Sequence, residues 1–105
     1  MHIIINTFAY INILNIMELK QVEKISKALS DVNRLKLLQY MQKNQGKVEC
    51  TKACNLLDLA QPSISHHVKK LVESGLINQH KIGRNYNYTL NHEVWDNYML
   101  RLQNL

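Results

Sequence analysis

Residues 61–75, QPSISHHVKKLVESG, restrict the fold more than any other stretch. Pro62 lacks a backbone N–H, so a helix accepts it best in the first turn, where that donor would have no partner anyway. Gly75 suits the left-handed conformation that ends many helices. Between them Ile64, Val68, Leu71 and Val72 recur at three- and four-residue steps. The spacing predicts a helix from Pro62 to about Ser74 with one apolar stripe. The next stretch, LINQHKIGRNYNYTL, changes period. Ile77, Gln79 and Lys81 fall on one side of a strand, and Tyr86, Tyr88 and Leu90 alternate with Asn87 and Thr89 in a second. Ile82-Gly83-Arg84-Asn85 is the turn of a β-hairpin. Upstream, a short helix starts near Thr51, an acceptable N-cap, and carries Ala53, Leu56 and Leu57. A tight turn from Asp58 to Gln61 separates the two helices. Helix, turn, helix and hairpin make a winged helix-turn-helix.

The rest of the chain supplies helices. From Glu18 to Leu29, Leu19, Val22, Ile25 and Leu29 keep a helical period. Ser30 or Asp31 can cap a second helix whose core residues are Leu35, Leu37, Leu38 and Met41, closed by Asn44 to Gly46. A last helix from about His92 shows Val94, Trp95, Tyr98, Met99, Leu102 and Leu105. Only 3 Gly and 1 Pro occur in 105 residues, so helices should dominate. The expected class is mainly α with a small β-hairpin wing (α+β), in one domain over residues 17–105. A domain this small has a modest core, which favours a homodimer sharing an apolar seam.

Residues 1–16, MHIIINTFAYINILNI, stand apart as an apolar N-terminal extension without Lys, Arg, Asp or Glu. Asn6, Asn12 and Asn15 interrupt the run, and it is too short to span a bilayer comfortably. It lacks the basic start and small-residue cleavage site of a signal peptide. Three readings stay open: an extra element buried in a dimer, a disordered tail, or upstream sequence preceding a start at Met17.

The net charge of +5 favours a polyanionic partner, nucleic acid or a membrane surface. At about 100° per residue, the apolar stripe of the 62–74 helix leaves His66, Lys69 and Glu73 opposite, with Ser63 and Lys70 on a flank. Ser65 is borderline, and Gln61 precedes the first turn. Gln61, Ser63, Ser65 and His66 are short hydrogen-bonding groups suited to base edges in the major groove of double-stranded DNA. Lys69 and Lys70 suit phosphates. A solvated surface helix would carry the same residues. Arg84 at the tip of a projecting hairpin argues against that reading, because it could reach a flanking minor groove or phosphate. No Gly-rich phosphate loop and no nucleophile with a base and an orienting partner occurs, which argues against an enzyme. Ser65 sits beside His66 and His67 in sequence only, and the two histidines diverge on a helix.

Cys50 and Cys54 are four apart, a spacing that puts both on one helical face. Two thiolates there could hold Cu(I), Zn(II), Cd(II), As(III) or Sb(III). A helix N-terminus lowers a thiol pKa, which would favour both metal binding and oxidation. Equally, Cys54 could be a small core residue and Cys50 incidental. Two cysteines without a disulfide framework point to a reducing compartment, hence the cytoplasm.

QPSISHHVKKLVESGLI followed by KIGRNYNYTLN, with ALSDVNRLKLL upstream, resembles the ArsR/SmtB family of winged-helix repressors. The similarity covers about residues 18–104 and is strongest over 55–91. It implies a small homodimer that binds operator DNA and releases it when a metal ion or other small effector binds. It also implies a dimer seam made by the first and last helices, which fits Leu19, Val22, Ile25, Trp95, Tyr98 and Leu102. The family often holds a thiolate metal site in the helix of Cys50, usually as Cys-x-Cys. Here those positions read Glu49 and Thr51, while Cys54 falls where some arsenic-type members have an additional Cys. The family's other common site uses Asp and His along the last helix, and NHEVWDNYM lacks that pattern. A regulator without cysteine sensing, or a winged helix used only for protein interaction, is the alternative.

Overall fold

The computed structural model describes residues 17–105. The readings of residues 1–16 lie outside the described residues. In chain order the elements are α1 (Leu19–Leu29), α2 (Val32–Lys43), β1 (Lys47–Glu49), α3 (Cys50–Leu57), α4 (Gln61–Glu73), β2 (Ile77–Ile82), β3 (Asn85–Leu90) and α5 (His92–Gln103).

Asp31, not Ser30, caps α2. Its Oδ1 accepts hydrogen bonds from the amides of Asn33 at 2.8 Å and Arg34 at 3.2 Å, satisfying two donors that the first helical turn leaves open. Leu37, Leu38 and Met41 are buried as expected, but Leu35 is 48% exposed, so it belongs to the surface and not to the core. Gly46, at φ +74°, turns the chain after α2, and its amide bonds to the Met41 carbonyl at 2.7 Å. A Cβ there would sit 2.8 Å from Nε2 of His92.

That turn leads into β1, a strand the sequence reading did not anticipate. Three residues with only Val48 pointing inward carry too little alternation to be recognised. β1 pairs antiparallel with β3, placing Val48 opposite Tyr88, and the sheet order is β1-β3-β2. β1 runs directly into α3, which starts at Cys50 with Glu49 at the cap position and no side-chain cap bond. Thr51 is therefore inside the helix and not its cap.

Asp58, at φ 52°, ends α3 in the left-handed conformation, and the Leu59 amide bonds to the Cys54 carbonyl. α4 begins at Gln61, with Pro62 in its first turn. Ser74 and Gly75 end it: Oγ of Ser74 donates to the Leu71 carbonyl at 2.7 Å, and Gly75 adopts φ +86°. The β2–β3 hairpin turns tightly on Gly83 and Arg84, because Ile82 and Asn85 are already paired. Asn91 caps α5 by accepting from the Val94 amide.

The core is continuous. Ile25 of α1, Leu37 and Met41 of α2, and Ile64, Val68 and Leu71 of α4 are fully buried together with Leu76 and Ile77. Each such side chain contributes about 2 kcal/mol of hydrophobic stabilisation. Tyr88 and Leu90 close the core from the sheet. This packing buries one face of α4 and leaves the opposite face open.

Candidate nucleic-acid interface and thiol cleft

With Ile64, Val68 and Leu71 pointing inward, the opposite face of α4 is set by helical geometry. Gln61, Ser63, Ser65, His66, Lys69 and Lys70 are all exposed. Arg84 is exposed at the hairpin tip. The seven side chains assigned to DNA from sequence therefore all reach solvent, on α4 and on the wing beside its start.

Two residues outside that set hold α4 in place. His67 is half-buried, and its Nδ1 lies 3.2 Å from a terminal nitrogen of Arg34 and 3.8 Å from Oδ1 of Asp31. Nε of Arg34 donates to the Ala28 carbonyl at 2.6 Å. One arginine thus ties the recognition-type helix to the α1–α2 junction. The sequence reading gave His67 no role, and no local spacing links it to Arg34, 33 residues away. Burial tends to raise the Asp31 pKa. The Arg34 and Asn33 amides, then the charges of His67 and Arg34, outweigh that and hold its carboxyl below the usual range.

Cys50 is buried and Cys54 half-buried, and both are free thiols. Cys50 acts electrostatically on both Cys54 and the Tyr88 hydroxyl. The thiols border a cleft of about 340 Å³ between α3, the start of α4 and the wing, which Gln61, Arg84, Asn85 and Tyr86 also line. Burial first, then the neighbouring Cys50, pushes the Cys54 thiol up. This corrects the expected lowering. Cys54 lies on the second turn of α3, away from the free N-terminal amides, and desolvation disfavours its thiolate. The Tyr88 hydroxyl is also pushed up, by burial and then by Cys50. Among the described residues, no group of three or more His, Cys, Asp or Glu could hold a metal ion, so this pair offers two sulfur donors.

The expected dimer seam divides. Ile25, Val22 and Tyr98 are already buried within one subunit, at 0%, 8% and 5% exposure, and Tyr98 shares a 2.9 Å hydrogen bond with Ser26. They are core residues and have little surface left for a partner. Leu19 and Leu102 remain exposed, and Trp95 is half-buried.

A helix-turn-helix domain family matches residues 29–80. The arsenical resistance operon repressor of Staphylococcus xylosus is 40% identical over 83 residues, 76% of this chain and 75% of that protein. The repressor of the same description from Staphylococcus aureus is 37% identical over 89 residues, 82% of this chain and 81% of that protein. The crystal structure of an ArsR family transcriptional regulator superposes with a TM-score of 0.73 at 26% identity, covering 85% of this chain and 90% of that one. The chain belongs to the ArsR family of winged helix-turn-helix regulators. It is accordingly a DNA-binding regulator and not an enzyme. No helix among the described residues is long and apolar enough to cross a membrane. As an ArsR-family chain it departs from the Cys-x-Cys arrangement, since Glu49 and Thr51 flank Cys50.

Proposed function

We propose that the chain is a cytoplasmic transcriptional repressor that binds operator DNA as a homodimer and leaves it when a trivalent metalloid bonds to Cys50 and Cys54. In this reading α4 of each subunit enters a major groove, with half-sites about 34 Å apart. Gln61, Ser63, Ser65 and His66 read base edges, while Lys69, Lys70 and Arg84 hold phosphates. The subunits pair through α1 and α5. Leu19, Met99 and Leu102 leave apolar surface exposed on these two helices, Leu105 is exposed just beyond α5, and Trp95 of α5 is half-buried; apolar surface of this kind favours association.

The observation that carries the sensing half is the shared cleft: both thiols border the same space as Gln61 and Arg84. An effector bonded to the sulfurs would act directly on the start of α4 and on the wing. Two relatives are described as arsenical resistance operon repressors, which supports arsenite as the effector. The chemistry suits a protonated thiol. Each As–S bond forms as one As–OH group leaves with the thiol proton as water, so the raised pKa of Cys54 is no obstacle.

Cys50→Ser with Cys54→Ser should keep operator affinity and lose release by arsenite, read by fluorescence anisotropy on the chain's own promoter region. The wild-type protein should develop near-ultraviolet As–S absorbance on titration. Operator release by arsenite that persists in the double variant would exclude the thiol pair as the sensor.

A further inference from the structure

The flank of α4 turned away from the Gln61–Arg84 cleft carries a second cationic surface. Lys24 and Lys27 of α1, Arg34 of α2 and Lys70 of α4 border one recess of about 320 Å³ with Ala28 and Glu73. Four cations face one carboxylate there. Lys27 also meets Glu23 at 3.9 Å, but both side chains are more than 60% exposed, so that pair is loose. Arg34 differs from the lysines in being fixed, with Nε on the Ala28 carbonyl and a terminal nitrogen on His67. Gathering like charges on a fixed arginine is unfavourable in the free protein and becomes favourable when an anion arrives.

The position of the recess identifies the anion. An α-helix with its side chains is about 10–12 Å across and a major groove about 12 Å wide. The flanks of an inserted helix therefore meet the two phosphate ridges. Lys70 lies one helical stripe from the base-reading face, on the side of α1 and α2, whereas Gln61 borders the wing. We infer that Lys24, Lys27 and Arg34 form a phosphate-binding crescent, so that α1 grips the duplex backbone on the ridge opposite the wing. This inference rests on the DNA-binding reading above. It extends the contact surface beyond the helix-turn-helix and the wing.

The test is operator affinity measured across a series of salt concentrations for the wild type, Lys24→Gln with Lys27→Gln, and Arg84→Ala. Both lysines are exposed, so their substitution leaves the fold intact. Each lost phosphate contact reduces the slope of log affinity against log salt by about 0.9. The double variant should therefore lose roughly 1.8 per subunit, with unchanged ranking of operators carrying single base-pair substitutions. A slope equal to the wild type's, while Arg84→Ala makes it shallower, would overturn the crescent and leave DNA binding standing. A wild-type protein with no salt-dependent duplex binding would overturn both.

Discussion

Ser65, His66 and Lys70 lie within two turns of one helix, yet their chemistry predicts different defects. A base-edge contact discriminates between sequences by about 1–3 kcal/mol when well formed. Ser65→Ala and His66→Ala should therefore narrow the gap between operator and unrelated duplex. Lys70→Ala should weaken both equally and reduce the salt slope by about 1. Competition binding with operator and scrambled duplexes separates the two outcomes. Asp31 acts on stability instead. Its carboxylate accepts from two amides at the start of α2, and its folded pKa is depressed. Its contribution is thus present above the ordinary aspartate value of about 4 and is lost as pH falls below it. Asp31→Ala should cost about 1 kcal/mol at neutral pH. Urea midpoints of variant and wild type should converge at acid pH.

Among the elements, legibility followed the strength of the local signal. α4 was marked by Pro62, Gly75 and four apolar residues in period, and it runs from Gln61 to Glu73. The hairpin was marked by Gly83 and alternating tyrosines, and its register closes on Ile82 and Asn85. β1 was not legible, because its pairing with β3 spans about forty residues and only Val48 among its three is apolar. The thiol environment was hidden for the same reason: Tyr88 comes from the sheet, and sequence spacing brought only Cys50 and Cys54 together. Apolar periodicity on α1 and α5 could not divide core from seam, since Ile25 and Leu19 obey one spacing while only Leu19 is exposed. That division is testable. Leu19→Glu with Leu102→Glu should leave a folded monomer, seen by light scattering with a retained thermal transition. Tyr98→Phe removes the hydrogen bond to Ser26. It should lower stability by about 1 kcal/mol and leave the dimer intact.

At the scale of the whole molecule, under the proposed reading the cleft joins two binding events, and thermodynamics then fixes their relation. If arsenite on Cys50 and Cys54 weakens operator affinity by some factor, operator must weaken arsenite affinity by the same factor. Couplings of this kind are typically about 1–3 kcal/mol, or roughly 5- to 150-fold. The physical source is differential contact, since Gln61 and Arg84 border the thiol cleft and are assigned to DNA. An effector held there competes for the positions these side chains need on the duplex. Arg84→Ala should therefore lower operator affinity and also shrink the coupling, because one of the two linked contacts is gone. Lys70→Ala, on the flank away from the cleft, should lower affinity with the coupling unchanged. Measuring arsenite affinity with and without saturating operator in these two variants separates a route through the wing from a general loosening of the fold. Equal coupling in both variants would exclude the wing as that route.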